Sequence, residues 1–236
     1  MAGWNIFTIG RIAAAFGLTE SNMTNPLQEP IVFRRYEGAS DDSDSGVRMP
    51  RRTLDARVSA CCVAELLGRY ERFTKGGSDG ADMFPWASRF IMGFPLPEWQ
   101  RPLVWSREQQ VRFIESLWAG VDVGSYMVNE TYDFMKTDGK EHYTPFSEIL
   151  LDGQQRLASI EAYVLNEFGV PDIDGAPRFW SDLPRVERRR FGSIQFARAN
   201  IKSNDEDELR LAYDLRSFGG TAHTEDQRAV SKRTPS

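Results

Sequence analysis

Residues 149–157 run Ile149-Leu150-Leu151-Asp152-Gly153-Gln154-Gln155-Arg156-Leu157. An apolar strand ends in Asp-Gly, two amides and a guanidinium follow at once, and an apolar-periodic helix begins. The stretch is a strand-to-helix corner carrying one acceptor, one flexible residue, two bifunctional amides and one fixed cation. Such a corner suits a phosphate or another planar anion. A helix N-terminus offers unpaired N–H groups there, and arginine offers a fork that matches phosphate oxygens.

Downstream, Leu157, Ile160, Val164 and Phe168 form the apolar stripe of the helix, and Gly169 is its expected end. Upstream, Glu148 to Leu151 is mostly apolar and is expected to be an internal strand. Thr137-Asp138-Gly139-Lys140 is a hairpin signal, and Val123 to Phe134 reads as a strand before it. Ser106-x-x-Gln109 is a capping box. It predicts a helix that buries Val111, Ile114, Leu117, Trp118 and Val121 and stops near Gly120. Pro95-Leu96-Pro97-Glu98-Trp99-Gln100-Arg101-Pro102 must be extended, because each proline fixes φ and turns its predecessor away from helix. Arg89 to Phe94 is a short strand candidate.

Further from the corner, a helix is expected to start near Thr53, with Leu54, Val58, Cys61, Leu66, Tyr70 and Phe73 as its stripe. Lys75-Gly76-Gly77-Ser78-Asp79-Gly80 closes it. That glycine run lacks the order of a phosphate loop and follows a helix, so it reads as a linker. In the C-terminal third, Leu183 to Phe191 predicts a basic helical turn and Ser193 to Ile201 a strand. Asn204 is expected to cap a helix whose first turn, Asp205-Glu206-Asp207-Glu208, suits the helix dipole. Phe218-Gly219-Gly220-Thr221 reads as a flexible corner. The domain plan is an N-terminal extension over 1–50 with a mobile acidic loop at Gly38 to Gly46, one domain over 51–225, and a polar tail over 226–236.

Composition narrows the chemistry. The 236 residues are 41% apolar and 27% charged, which describes a globular protein. The net charge of −5 argues against a strongly cationic nucleic-acid coat and leaves room for a local basic patch. The two cysteines, Cys61 and Cys62, are adjacent. On a helix they would point about 100° apart, so a disulfide framework is not expected and a reducing, cytoplasmic setting fits. His142 and His223 are the two histidines. Neither a structural zinc site nor a Ser-His-Asp or Cys-His mechanism has the residues it needs. No apolar run approaches a membrane span of ~20 residues.

The Asp-Gly-Gln-Gln-Arg corner stands in company. Pro97-Glu98-Trp99-Gln100-Arg101-Pro102-Leu103-Val104-Trp105 precedes it, separated by a capped helix and a hairpin. This order resembles the N-terminal domain of GmrSD-type, modification-dependent restriction enzymes, the DGQQR family within the ParB/sulfiredoxin-like fold. The resemblance covers roughly residues 88–225. Ser217-Phe218-Gly219-Gly220-Thr221 is similar to the family's third element, an Asn-x-Gly-Gly or Asn-x-x-Gly turn before the last helix, with Arg216 or Ser217 standing where Asn is common.

The resemblance implies an α+β fold, a small mixed sheet flanked by helices. It also implies nucleoside triphosphate binding and hydrolysis coupled to sensing of modified DNA, with Mg²⁺ as cofactor. Asp152, Gln154, Gln155 and Arg156 are then the expected catalytic residues. Arg156 contacts phosphate oxygens, Asp152 holds Mg²⁺ or orients Arg156 or a water, and Gln154 and Gln155 position water or read a base edge. Gly153 lets the backbone approach the ligand. Gln100 and Arg101 form the opposite wall of the nucleotide site. Arg185, Arg188, Arg189 and Arg190 are candidates for DNA-phosphate contacts, against a reading as a solvated helix face. Trp99 and Trp105 read as core rather than as base-stacking platforms.

On this view the chain is a stand-alone NTPase or sensor module without the HNH-type nuclease that usually cuts. The alternative is a non-catalytic ParB-like module that holds DNA, a nucleotide or a protein, including a decoy or inhibitor acting on a restriction or host protein. A sulfiredoxin-like reductase needs a reactive cysteine at the phosphate corner, and Cys61 and Cys62 lie far from it in sequence.

Overall fold

The computed structural model of the chain describes residues 54–218, together with 49 and 52. The expected acidic loop, the Gly219–Thr221 corner and the polar tail lie outside the described residues. The chain divides into two units, Met1–Pro50 and Arg51–Ser236, and every element below belongs to the second.

The order is β1 (Arg57–Ser59), α1 (Val63–Lys75), β2 (Arg89–Ile91), β3 (Phe94–Leu96), α2 (Arg107–Trp118), β4 (Tyr126–Asn129), β5 (Phe134–Thr137), β6 (Lys140–Tyr143), β7 (Leu150–Asp152), α3 (Gln154–Val164), β8 (Val170–Pro171), β9 (Pro177–Arg178), α4 (Arg185–Ser193), β10 (Arg198–Ile201) and α5 (Glu206–Phe218). This is the expected α+β class. The central sheet is mixed, ordered β1-β10-β4-β7. Strand β4 runs parallel to β10 and antiparallel to β7.

Both faces of that sheet are covered. Tyr126, Val128 and Leu150 face the main core, which they share with α1, α2, α3 and Phe191 of α4. Met127, Ile149, Leu151, Ala199 and Ile201 face a second cluster that Leu209 and Ala212 of α5 close. Successive side chains of a strand point to opposite faces. A strand buried on both sides therefore reads as an apolar run without alternation, which is the pattern of 149–151.

Strand β7 was expected to be internal and instead lies at the sheet edge. An edge exposes carbonyls that need donors. The Gln100 side chain supplies them: its amide donates to the Leu150 carbonyl oxygen at 2.5 Å and to that of Leu151 at 2.9 Å. Burial on both faces hid the edge from the sequence, and a side chain from the proline-rich segment takes the place of a neighbouring strand.

Two helix boundaries also moved. The helix expected from Thr53 begins at Val63, because residues 57–59 pair with β10 instead. Cys61 and Cys62 precede the helix rather than sitting in it, and Cys62 bridges to Gln195. The Cys62 N–H donates to Glu65 in the first turn of α1 at 3.1 Å. Helix α3 stops at Val164, with Asn166 in the left-handed region at φ 62°, well before Gly169. Phe168 then enters the core from a loop.

Among the other local signals, the capping box and the hairpin turn behaved as expected, and three others did not. The Ser106 capping box opens α2: the Ser106 N–H donates to Gln109 at 2.8 Å and the Gln109 N–H to the Ser106 hydroxyl at 3.4 Å. Val121 falls beyond the end of α2 and is exposed. Asp138 and Gly139 carry φ 52° and 78°, the pair of positive values a two-residue hairpin turn asks for. Strand 123–134 is split, with Tyr126–Asn129 in the main sheet and Phe134–Thr137 in the hairpin. Helix α5 is capped by Asp205 rather than Asn204. The Asp205 carboxylate accepts from the N–H groups of Asp207 at 2.8 Å and Glu208 at 3.3 Å, while Asn204 reaches Asp133.

Candidate functional site

The DGQQR corner opens into a cleft lined by Arg101, Trp105, Leu151 to Arg156, Tyr213 and Ser217. Its floor is the end of β7, one wall is the proline-rich segment, and the other is the last turn of α5. The cleft volume is about 80 Å³.

Gly153 is the N-cap residue of α3, at φ 97°. A Cβ there would lie 2.7 Å from the Cβ of Tyr126, so two independent reasons require glycine. Its close neighbour is β4 rather than open cleft. No side chain caps the first turn of α3, and the first N–H groups of a helix have no intrahelical acceptor. The first-turn residues Gln154, Gln155 and Arg156 line the cleft, so this end of the helix presents positive partial charge there.

The two glutamines are buried and act as staples. The Gln154 amide donates to the Arg101 carbonyl oxygen at 2.9 Å. The Gln155 side chain donates to the Pro102 carbonyl oxygen at 3.1 Å and accepts from the N–H groups of Val104 at 3.0 Å and Trp105 at 3.2 Å. Gln100, Gln154 and Gln155 together sew residues 100–105 to β7 and α3. Gln154 Oε1 and Gln100 Oε1 are buried without a donor among the described residues.

Arg156 is anchored from several sides. It donates to the Val123 carbonyl oxygen at 2.8 Å, the Ser125 carbonyl oxygen at 3.2 Å and Asp152 Oδ2 at 2.9 Å. Burial pushes its guanidinium below the ordinary arginine value, and the Asp152 charge pulls it back up. Arginine remains charged throughout.

Asp152 does not cap the helix; its carboxylate turns to two guanidiniums. The second is Arg216 from the end of α5, whose Nε donates to Asp152 Oδ2 at 2.7 Å. Arg216 also donates to the Ser125 hydroxyl at 2.9 Å and to the Ser125 carbonyl oxygen.

Arg101 is exposed, and its side chain has no hydrogen-bond or ion-pair partner among the described residues. The corner thus gathers three guanidiniums and one carboxylate, with Arg156 and Arg216 paired to it. Trp105 packs on Phe113 at 5.7 Å. Trp99 meets Tyr213 edge-on at 5.3 Å under the guanidinium of Arg210. Both tryptophans have one side in a core cluster, and Trp105 and Tyr213 also line the cleft.

The structure thus brings together Gln100, Arg101 and Asp152 to Arg156. It adds Arg216, Ser125, Tyr213 and Ser217, which sequence reasoning did not place in the site. Nothing in the sequence ties Arg216 to a carboxylate 64 residues earlier; its place beside the expected third element was the one available signal.

None of the four candidate DNA-contact arginines lines the cleft. They lie on α4, and they are not equivalent. Arg188 is spent on the carbonyl oxygens of Leu183 and Ser181 and lies over Trp180. Arg190 pairs with Glu187 at 2.8 Å. Arg185 and Arg189, four residues apart on one face, are exposed without partners among the described residues and border a shallow groove with Val186 and Ser193.

Fold and site together define an α+β domain, its mixed sheet covered on both faces, with a cationic cleft at a strand-to-helix corner. The family model for the N-terminal domain of the GmrSD restriction endonuclease matches residues 86–233. The chain belongs to this family, so it is a restriction-related domain. Comparisons with curated proteins and with solved structures returned no match. Among the described residues no helix is long and apolar enough to cross a membrane.

Proposed function

We propose that the cleft takes the phosphate tail of a nucleoside triphosphate, and that the domain hydrolyses it as the nucleotide-responsive part of a DNA-modification sensor. The observation that carries this reading is the unpaired Arg101 side chain lining the same cleft as the uncapped first turn of α3, with Arg156 and Arg216 paired on Asp152 there. Cations and free N–H groups converging on one small cleft are what phosphoryl oxygens need.

A volume of about 80 Å³ suits a phosphoryl group, whereas whole-ligand pockets run to ~300–1,000 Å³. Ribose and base therefore lie over the rim, where Trp105 and Tyr213 offer aromatic faces. The unpartnered Gln154 Oε1 is an acceptor suited to a ligand hydroxyl or a water.

The donor set fits Mg²⁺ in one way only. Among the described residues no cluster of three or more His, Cys, Asp or Glu could hold a metal, so a dedicated cage is ruled out for them. Mg²⁺ commonly arrives on phosphates with one or two protein carboxylates, and Asp152 is the carboxylate in place. When bound, the ion would neutralise charge on the phosphoryl oxygens. The protein's own part is positioning: Arg101 and the α3 amides hold the tail, and Arg156 fixes Asp152.

Arg101→Ala is the cleaner test, because Arg156→Ala also removes bonds to the Val123 and Ser125 carbonyls. With ATP, GTP, CTP and UTP, the wild type is expected to gain thermal stability and to release phosphate. Arg101→Ala should lose about tenfold or more in affinity, the effect of one charge-assisted hydrogen bond. Absence of both stabilisation and release with every nucleotide, with and without DNA, would sink the reading.

A second reading, binding without turnover, draws on a specific observation. Gln154, Gln155 and Arg156 all direct polar groups to backbone partners, which leaves few groups to orient an attacking water. Stabilisation without phosphate release would select it. In either case Arg185 and Arg189 are the α4 residues free to meet a DNA backbone.

A further inference from the structure

We propose that Arg216 is an exchangeable latch on this cleft: Asp152 and Ser125 hold it in the ligand-free protein, and an incoming phosphoryl group takes its Nε–H from Asp152. The inference rests on the reading of the cleft as a phosphate site.

The two guanidiniums on Asp152 are held in different ways. Arg156 has the Val123 carbonyl to itself and shares the Ser125 carbonyl with Arg216, so its position survives loss of the carboxylate. Arg216 has Asp152 and Ser125 alone among the described residues. Its side chain is 29% exposed against 18% for Arg156, and it comes from the last turn of α5, the element that forms one wall of the cleft through Tyr213 and Ser217.

A carboxylate and a phosphoryl group present the same kind of oxygen pair to an arginine fork, and the phosphoryl group carries more charge. Once oxyanions sit between Arg101 and the α3 N-terminus, Arg216 gains a stronger acceptor than Asp152. The exchange frees Asp152 Oδ2 from one of its two donors. It also couples ligand binding to the end of α5, whose hydrogen bonds to β7 and to the loop before β4, among the described residues, run through this one side chain. The cleft is thereby a site that its own carboxylate partly occupies, and Arg216 is the residue that changes partners.

Ser125→Ala tests the latch gently. It removes one resting acceptor of Arg216, leaves every charge in place and leaves the Ser125 carbonyl to Arg156. The probe is inorganic tripolyphosphate in magnesium-free buffer, titrated by calorimetry into the full chain, with thermal melting to confirm that each variant is folded.

Ser125→Ala is expected to bind about two- to fivefold tighter than wild type, because one weak resting bond no longer competes. Arg216→Gln should bind about tenfold weaker, and Ser125→Ala in that background should add no gain. In the wild type the Arg216 Nε–H resonance should shift on titration. If wild type binds but Ser125→Ala binds no tighter, or its gain persists without Arg216, then Arg216 is a static strut and the latch is wrong. If wild type binds neither tripolyphosphate nor a short DNA duplex, the phosphate reading falls, and the latch falls with it. Repeating the titrations with a short DNA duplex assigns the source: the same pattern with the polyphosphate alone indicates a nucleotide tail, and with the duplex alone a nucleic-acid backbone.

Discussion

At the scale of single residues, the corner shows one side chain doing what its chemistry favours in several places. Glutamine carries both a donor and an acceptor. Gln100, Gln154 and Gln155 use them to satisfy backbone groups that the sheet edge and an extended segment leave open. Glu161 on α3 is a different case. It accepts from the Met92 N–H at the tight turn between β2 and β3, and Met92 there has φ 50°. Burial pushes the Glu161 carboxyl above its ordinary value, and the Glu167 charge adds to that, although the Met92 hydrogen bond opposes it. The folded protein therefore keeps a proton on Glu161 at pH values where the unfolded chain has released it. Its contribution to stability is present below the ordinary glutamate value and is lost as pH rises through the raised one. Glu161→Gln keeps an acceptor for Met92 and removes the charge. Its melting temperature should exceed that of wild type by most at neutral pH, and the gap should close towards about pH 4; a gap that widens on acidification would contradict the assignment.

At the scale of elements, the segment 97–105 is held as if it were a strand, though it forms none beyond β3. Prolines remove its donors, and the three glutamines replace the missing ladder. Gln155→Ala deletes three of those hydrogen bonds at once and leaves the Val104 and Trp105 N–H groups without their acceptor. The expected cost is about 2–3 kcal/mol in chemical denaturation, together with faster amide exchange at Val104 and Trp105. Unchanged exchange there would show that the segment is held by other means. Helix α2 was legible from its capping box because a cap is local: Ser106 and Gln109 are three residues apart and satisfy each other. The start of α1 was not legible, because residues 57–59 have a helical apolar pattern but find a strand partner in β10, some 140 residues later. Pairing with a distant strand outweighs a weak local preference.

At the scale of the whole molecule, charge is spread unevenly. The chain is acidic, yet the cleft collects cations, and α4 carries the basic run Arg188-Arg189-Arg190. Arg185 and Arg189 are the α4 arginines free of partners among the described residues. Reversing both, Arg185→Glu with Arg189→Glu, should weaken duplex DNA binding and lower the slope of log K against log salt by about 2, one unit for each phosphate that is no longer neutralised. An unchanged slope would move the DNA face off α4. The sequence by itself determined the α+β class, the capped α2, the 137–140 hairpin, the strand-to-helix corner and, through DGQQR with the Gln100-Arg101 segment, the family. The capped helix, the hairpin and the corner are written in neighbouring residues, by propensity, capping or spacing, whereas the fold class and the family come through the resemblance. Only the tertiary structure decided that β7 is an edge, that the corner's glutamines bind backbone, and that Arg216 shares Asp152 with Arg156. Those facts depend on which groups meet across 50 to 90 residues of chain, and a hydrogen bond's partner is chosen by the packed fold rather than by sequence distance.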